Sequence, residues 1–323
     1  LFIATPIVSV TVQSMFTPHE AVFLTVETCT PFKCTEETTI DQEATAALRA
    51  EQPLGRFVGL DIYLDRGHLA ISEVGEAWAS SQNWTEFLAS LSNLPFYRAM
   101  SFTLVFIFTV TPMVIVLGLL IALAVNSIYA RLRGVVIFFS LLPFVITPLI
   151  GALVLYWMID SRGILGNLLQ WMAGDPSLSL KASTGLMWVS LIVYGIWHAA
   201  PFAFVIFYAG LQTLPQDQME AAQIDGASRL QRVRYVILPH LMPLVMFVTL
   251  IQLMDNFRVF EPIIGFNAEA HATSLSWAIF NDLGGETRQF SSAAATSVIT
   301  IIGVAILLTP VLIRTWRDFR RKV

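Results

Sequence analysis

SFTLVFIFTVTPMVIVLGLLIALAVNSIYA, residues 101 to 130, contains no Asp, Glu, Lys or Arg, and the uncharged run to which it belongs begins at residue 99. A helix needs about 20 consecutive, mostly apolar residues to cross the hydrocarbon core of a bilayer. An unpaired charge inside that core would be costly, and this stretch contains none. The run is therefore predicted to be a membrane-spanning helix.

Similar runs recur along the chain, of which 13% is charged and 55% hydrophobic. Soluble domains carry about 25% charged residues, so the composition indicates a membrane protein. The apolar first residues resemble the outer end of a helix whose start is missing, since the chain begins with Leu rather than Met. We predict an all-α polytopic membrane protein with about six spanning helices, the first incomplete. The further runs are 134–159, 182–216, 289–313, the shorter 241–254 and the N-terminal 1–16.

Basic residues cluster at three places that fall on one side of the membrane if the helices alternate in direction. Short loops rich in Arg and Lys stay in the cytoplasm. Both termini are therefore predicted to be cytoplasmic, with the chain in the bacterial inner (plasma) membrane. The clusters are Arg131 with Arg133; Arg229, Arg232 and Arg234; and Arg314, Arg317, Arg320, Arg321 and Lys322.

Residues 17–95 form a long polar insert on the opposite, exported side. Two helices are predicted in it, over 41–50 and over 83–94, the second capped by Asn83 with Glu86 three residues on. The second helix is amphipathic, so its apolar face suits the membrane surface. A small cap packed on the helix ends and a contact for an external partner protein both remain open.

The two cysteines of the chain, Cys29 and Cys34, both lie in this insert. An oxidising exported compartment favours a disulfide between such close residues. Two free thiols are the alternative, and no metal site is expected from two sulfurs alone.

The polar segment between the fourth and fifth runs predicts a cytoplasmic helix–turn–helix. Pro215 suits the first turn of a helix, and residues 217–220 have capping-box character. Gly226 permits a turn, and Ser228 can cap a second helix that is predicted to end at Pro239. Small side chains on the first helix would let it approach a groove in a partner closely.

This segment resembles the EAA loop of ABC importer permeases, with Val236 where that family usually has Ile. Residues 96–315 resemble the maltose-type sugar permeases more widely, through LPFVITPLIGALVLYWMID (142–160), GILGN (163–167), WHAAPF (197–202) and GLQTLPQDQMEAAQIDGAS (210–228). The exported insert before the core is more typical of the MalF-type subunit than of its MalG-type partner. The resemblance implies a type I ABC importer transmembrane domain, with a core at 96–316, the EAA loop at 214–239 and a cytoplasmic tail at 317–323. The implied ATPase-coupling residues are Glu220, Ala221, Ala222, Asp225, Gly226, Leu238 and Pro239.

The partners that the resemblance implies are a second, MalG-like permease subunit, two ATPase subunits, a periplasmic or surface solute-binding protein and membrane lipid. The chain lacks a GxxxxGK[ST] motif, so ATP and Mg are expected on the ATPase subunits and no cofactor on this chain. It also lacks HExxH and paired CxxC motifs, which argues against a metal site. Its Ser, His and Asp residues are scattered across both membrane faces, so an enzymatic triad is not expected. Nucleic-acid binding has no basic surface to support it.

Polar and aromatic residues at helical spacing on the two helices that flank the EAA loop mark a candidate substrate path. In maltose-type permeases the sugar site lies on these helices, and amide and aromatic groups suit sugar hydroxyls and the apolar sugar face. Packing between helices, with the amides as interhelical hydrogen bonds, is the alternative. The matching positions are Gly195, His198, Ala199, Phe202, Gln252, Asn256 and Val259.

Asp255, Arg258 and Glu261 form an i, i+3, i+6 series after the fifth run. Arg258 can pair with either acid, which lowers the cost of charge near the membrane. A contact between Arg258 and an anionic sugar derivative is the alternative. The following loop lacks the GGP-type sequence common in the family.

The sequence as a whole predicts one permease subunit of an ATP-driven sugar importer. A permease for a non-sugar solute remains an alternative. An ion-coupled secondary carrier is another, although inverted repeats typical of such carriers are not evident.

Overall fold

The computed structural model describes residues 4–19, 22–30, 33–52, 54–285 and 288–320. The described residues fall into two compact units, one formed by the 1–98 region with 278–302, and one by 99–277 with the 303–323 region. The part of the chain before residue 95 contains, in chain order, α1 (Ala4–Gln13), β1 (Phe16–Thr17), β2 (Phe23–Thr30), β3 (Lys33–Ile40), α2 (Gln42–Glu51), β4 (Arg56–Phe57), α3 (Asp61–Leu64), α4 (Ile71–Ser80) and α5 (Trp84–Ser92).

Longer helices follow in the remainder of the chain, and several of them match the apolar runs. The elements are α6 (Pro95–Ser127), α7 (Ala130–Val145), α8 (Pro148–Met158), α9 (Ile164–Ala173), α10 (Thr184–Gln212), α11 (Gln216–Ile224), α12 (Arg229–Arg232), a π-helical turn (Val233–Ile237), α13 (Leu238–Phe257), α14 (Glu261–Gly265), α15 (Leu275–Gly284) and α16 (Phe290–Arg320).

Four helical segments in the described part of the chain are long and apolar enough to span a membrane, and a bent pair would make a fifth. They correspond to α6, α10, the continuous segment Arg229–Phe257, α16, and the pair α7 and α8. The predicted all-α polytopic fold is thereby confirmed. The N-terminal span is represented by the ten residues of α1, which alone are shorter than the roughly 20 that a span needs.

The predicted single span over 134–159 is wrong in one respect, because it is bent by 96° between α7 and α8. Ile146 and Thr147 have extended backbone, with ψ of 130° and 142°. The ring of Pro148 disfavours helical geometry at the residue before it, and Pro148 itself begins α8. The break thus follows from the sequence Ile-Thr-Pro.

The prediction that the second helix of the cytoplasmic segment ends at Pro239 is also wrong. The helix continues from Arg229 to Phe257, and Pro239 lies in the first turn of α13. The turn before it is π-helical, with the Leu238 N–H bonded to the Val233 carbonyl five residues back. This wider turn accommodates the missing N–H and the bulky ring of the proline without ending the helix.

The core of the second unit includes one face of α6, which crosses α10 at a single close approach. Phe102, Phe106, Val110 and Val114 follow i, i+4 spacing on α6 and are almost completely buried, so they form one face of that helix. A Cβ on Gly118 would lie 2.6 Å from the Ala203 Cβ and 2.9 Å from the Phe204 nitrogen. Small residues therefore let the two backbones approach closely, as in other membrane helix pairs.

An ion pair fastens the loop that leads from α8 to α10. Lys181 Nζ donates to Asp160 Oδ2 at 2.7 Å and lies 3.5 Å from the centroid of the Tyr156 ring. This hydrogen bond, together with one from the Arg162 backbone, holds the pKa of the Asp160 carboxyl below its ordinary value. The loop therefore keeps a defined attachment to the end of α8 at neutral pH.

Both helices predicted in the exported insert are present, as α2 and α5, and Asp41 caps α2 through the Ala44 N–H. Asn83 is the N-cap of α5 but makes no side-chain cap bond. Instead Glu86 accepts from the Gln82 backbone N–H at 2.9 Å, which fixes the turn before the helix.

Two antiparallel strand pairs in the insert, β1 with β4 and β2 with β3, were not predicted. Their register places Cys29 opposite Cys34. The predicted disulfide itself lies outside the side chains that the structure describes, and the predicted domain boundaries stay predictions.

Candidate coupling hairpin and translocation path

The segment 214–239, here called the coupling hairpin, forms the helix–turn–helix that the sequence predicts. Helix α11 ends at Ile224, and Gly226 follows with φ of +74°. The Gly226 N–H bonds to the Gln223 carbonyl and the Ala227 N–H to the Ala222 carbonyl, at 3.0 and 2.9 Å. This is a Schellman motif, in which a residue with positive φ satisfies the last carbonyls of a helix.

The two caps of the hairpin differ from one another. Ser228 caps α12 as predicted, and it forms a complete capping box with Gln231. The predicted capping box over 217–220 is wrong, because α11 begins at Gln216 with Pro215 as its N-cap and no side-chain cap bond. Asp217 lies inside the first turn instead, where its charge still favours the positive end of the helix dipole.

One face of the hairpin is attached to the rest of the second unit, and the other is open. Leu214, Met219 and Val233 pack against the core cluster. Glu220, Ala221, Asp225 and Gly226 are exposed, whereas Ala222 and Leu238 are partly buried. Three large apolar side chains that the sequence reading missed also face outward: Ile224, Leu230 and Tyr235 are 87%, 77% and 68% exposed. Exposed apolar side chains beside acidic residues indicate a surface that a protein partner covers.

The hairpin joins α10 and α13 through a tightly packed neck. A Cβ on Gly210 would clash with Leu241 and Leu244 of α13. Gln212 donates to Asn126 Oδ1 at 3.2 Å, which ties α10 to the end of α6, and Thr213 Oγ1 lies 3.1 Å from His240 Nε2. The neck therefore holds the ends of α6, α10 and α13 in one arrangement directly beside the hairpin.

A cluster of aromatic side chains surrounds the break between α7 and α8. His198 Nε2 lies 3.1 Å from the Ile146 carbonyl, and the Tyr194 hydroxyl donates to the Pro148 carbonyl at 2.6 Å. The Phe144 ring stacks on Phe202 at 6.1 Å between centroids and lies 6.4 Å from His198. Phe144 and Tyr194 escaped the sequence reading, although the Ile-Thr-Pro sequence signals a break whose carbonyls need partners.

The predicted path residues are not all alike in their surroundings. His198 and Phe202 are partly exposed and lie at the aromatic cluster, whereas the partly exposed Ala199 packs against the hydrophobic core. Gly195, by contrast, is buried against the ring of Phe106, and Gln252, Asn256 and Val259 are buried at 4%, 8% and 6% exposure.

Asn256 makes an interhelical contact, since its Nδ2 donates to Thr111 Oγ1 of α6 at 3.0 Å. The contact matches the packing alternative for this residue. The role of the seven residues in a substrate path stays a prediction.

Of the two acids available to Arg258, the structure pairs it with Asp255. The Arg258 guanidinium donates to Asp255 Oδ1 at 2.9 Å, and the two side chains are 63% and 50% exposed. Glu261 starts α14 and is exposed. An exposed pair of this kind contributes about 0 to 1 kcal/mol to stability.

The region that carries both the coupling hairpin and the aromatic cluster matches a known family. Residues 87–317 match the family described as binding-protein-dependent transport system inner membrane component. The chain belongs to this family. It is thus a multi-pass permease of the inner membrane and a transport component, as its apolar helices also indicate.

Two relatives and one solved structure illustrate the similarity of this permease. It is 31% identical to "Probable ABC transporter permease protein y4oQ" of Sinorhizobium fredii, over 74% of this chain and 75% of the relative. It is 29% identical to "Trehalose/maltose transport system permease protein MalF" of Thermococcus litoralis, over 73% and 79%. A bacterial alginate ABC transporter, solved with an alginate pentasaccharide-bound periplasmic protein, shares 22% identity with a TM-score of 0.60, over 84% and 94%.

The expected fold class, a type I ABC importer transmembrane domain, is confirmed by these similarities of the permease. The region matched by the family includes the whole coupling hairpin and the break between α7 and α8. Both features therefore belong to the transport core of the permease.

Proposed function

We propose that this permease forms one half of the membrane pathway of an ATP-driven importer for a sugar or a sugar derivative. The coupling hairpin carries the proposal, because it combines an exposed acidic and apolar face with a close-packed neck to the membrane helices. A surface of this kind can receive a force from a separate protein and pass it to α10 and α13. Membership of a binding-protein-dependent family supports the same reading.

The proposed assembly contains two permeases, two ATPase subunits and an exported solute-binding protein. The coupling hairpin docks on an ATPase subunit, with Glu220 in the interface and Gly226 in the turn. ATP and Mg bind to the ATPase subunits rather than to this chain. When the ATPases close, the membrane helices move so that the cavity opens toward the binding protein, and both termini of the permease remain in the cytoplasm.

A sugar is favoured as the solute by the aromatic cluster and by the name of a relative that transports trehalose and maltose. Phe144 and Phe202 offer ring faces to the apolar face of a sugar, and the His198 ring lies beside them. Arg258 forms an exposed ion pair with Asp255, and a pair this exposed is too weak to decide between a neutral and an anionic sugar.

The proposed function is tested by purifying the permease after co-expression with the ATPase, the second permease and the binding protein encoded beside it. The permease is expected to elute as a complex that hydrolyses ATP faster when the liganded binding protein is added. Calorimetry of the binding protein over a panel of neutral and anionic sugars, amino acids and peptides identifies the solute. Tight binding of an amino acid alone would refute the sugar, and a permease that transports by itself would refute the ATP-driven importer.

Removing the rings of Phe144 and Phe202 is expected to weaken solute transport without affecting ATP hydrolysis by the ATPase subunits. Phe144→Ala and Phe202→Ala should each raise the KM for transport about fivefold, because a lost stacking contact costs about 1 kcal/mol. ATP hydrolysis stimulated by the binding protein should persist. The matched control is Phe139→Ala, since Phe139 is 63% exposed on the same helix as Phe144. Equal KM values for all three variants would show that the aromatic cluster does not contact the transported solute.

A further inference from the structure

Helices α4 and α5 form a hairpin, here called the aromatic hairpin (residues 71–92), with three rings at its turn. Trp78 lies 5.2 Å from Trp84 and 5.1 Å from Phe87 between ring centroids, all in edge-to-face contact. The cluster is nevertheless open, because Trp78 is 58% and Trp84 69% exposed. Large apolar side chains exposed together indicate a surface that contacts something apolar.

The large apolar residues form a stripe along each helix of the aromatic hairpin. On α5 the stripe follows i, i+3, i+4, i+7 spacing, and on α4 it follows i, i+3, i+7 spacing, so each stripe lies on one face. The acidic residues Glu73, Glu76 and Glu86 lie on the opposite faces of these helices by the same spacing. Leu88 and Ile71 are 60% and 57% exposed, whereas Val74, Phe87 and Leu91 are partly buried, so the described residues cover each stripe only in part. The stripes contain Trp84, Phe87, Leu88 and Leu91, and Ile71, Val74 and Trp78.

The aromatic hairpin is joined to a membrane-spanning helix without a flexible linker. The Asn93 and Leu94 N–H groups bond to the Ser90 and Leu91 carbonyls, and the Arg98 N–H bonds to the Leu94 carbonyl. The backbone thus passes from α5 to α6 through a single hydrogen-bonded turn. The uncharged part of α6 begins at residue 99, immediately after Arg98. α5 begins 15 residues before that point, at Trp84.

We propose that the aromatic hairpin lies on the exported surface of the bilayer and inserts its apolar stripes into the interface. Trp is enriched at membrane–water interfaces, because its ring is apolar while its N–H remains hydrated. An amphipathic helix with aromatic and Leu residues on one face and polar or charged residues on the other lies in the plane of the interface, and its apolar face supplies the binding energy. Continuity with α6 supplies the bilayer as the nearest apolar surface. The aromatic hairpin would then fix the depth and tilt of α6, whatever solute the permease carries.

The proposal is tested on the assembled transporter in nanodiscs of phosphatidylcholine with or without dibrominated acyl chains, whose bromines quench tryptophan fluorescence on contact. The fluorescence of Trp78 and Trp84 is obtained as a difference signal, by subtracting the tryptophan emission of the Trp78→Phe/Trp84→Phe variant from that of the wild-type protein. Brominated lipid is expected to quench more than half of this difference signal. Leu88→Glu should reduce that quenching at least twofold, whereas Ala89→Glu, off the stripe on the same exposed helix, should leave it unchanged.

Two results would overturn the bilayer assignment. One is a difference signal that aqueous iodide quenches and brominated lipid does not. The other is a difference signal that responds only when the binding protein is added, which would make the aromatic hairpin a protein contact. Co-elution of every variant with the ATPase subunits shows that the assembly is intact, so a failure here leaves the importer function untouched.

Discussion

Replacing Glu220 with lysine is expected to reduce solute transport about a hundredfold while the binding protein still captures its ligand. Glu220 is exposed on α11, in the hairpin proposed to dock on the ATPase. A reversed charge buried in an interface costs several kcal/mol, and about 3 kcal/mol corresponds to a factor near one hundred. Transport into proteoliposomes and co-elution of the ATPase subunits measure the effect.

The control is Gln218→Lys, which introduces a lysine, with half the change in net charge, on another side of the same exposed helix. It should transport within about twofold of the wild-type protein. Normal transport by the Glu220→Lys variant would show that Glu220 does not contact the ATPase subunit.

The turn can be tested separately, because no atom lies within 4 Å of a Cβ built on Gly226. Any loss of transport in the Gly226→Val variant should therefore come only from the positive φ of this position, which is unfavourable for a β-branched residue. Gly226→Asn should be mild, since Asn tolerates this conformation, and equal effects of the two variants would contradict a role for the turn geometry.

Replacing Gly118 with leucine is expected to destabilise the permease by about 3 kcal/mol or more. Even a Cβ would approach the Phe204 nitrogen to 2.9 Å, and backbone atoms cannot move aside as a flexible side chain can. Overpacking of this kind typically costs about 1 to 3 kcal/mol, and here a whole side chain must separate α6 from α10. Thermal unfolding of the reconstituted complex, followed by loss of the intact assembly, measures the change.

Gly185→Leu provides the control for this second experiment. Gly185 lies in the first turn of α10, and no atom is found within 4 Å of its added Cβ. The midpoint of thermal unfolding should therefore change little. A Gly118→Leu variant as stable as this control would show that α6 and α10 do not need the close approach seen here.

The spanning helices could be predicted from the sequence because lipid imposes a strong requirement on length and charge. Uncharged runs locate α6, α10 and α16 with ends that differ from the observed ones by one to seven residues, since each backbone polar group must be satisfied within its own helix. Prolines were harder to interpret. Pro148 marks a sharp bend and Pro239 does not end its helix, because a wider turn after Arg232 absorbs the ring. A proline alone does not show which of these outcomes its neighbours permit.

The candidate sites were predictable where local backbone chemistry decides the geometry. The turn at Gly226 and the cap at Ser228 follow from short-range preferences, so the hairpin was located correctly. Phe144 and the Asn256–Thr111 hydrogen bond depend on which helices become neighbours, and spacing along one helix does not contain that information. The strand pairs of the insert were missed for a similar reason, since pairing unites residues that no single-segment pattern connects.

The segment from Arg229 to Phe257 is one continuous helix, so a tilt at one of its ends also moves the other end. A helix of 29 residues is about 43 Å long, so a tilt of roughly 10° about its Arg229 end would displace the far end by about 7 Å. Gln252 and Asn256 lie near that far end, so in the proposed importer a small movement at the coupling hairpin would give a larger one at these two residues. The π-helical turn at Val233–Ile237 is the position in this helix where bending would reduce the movement that reaches the far end.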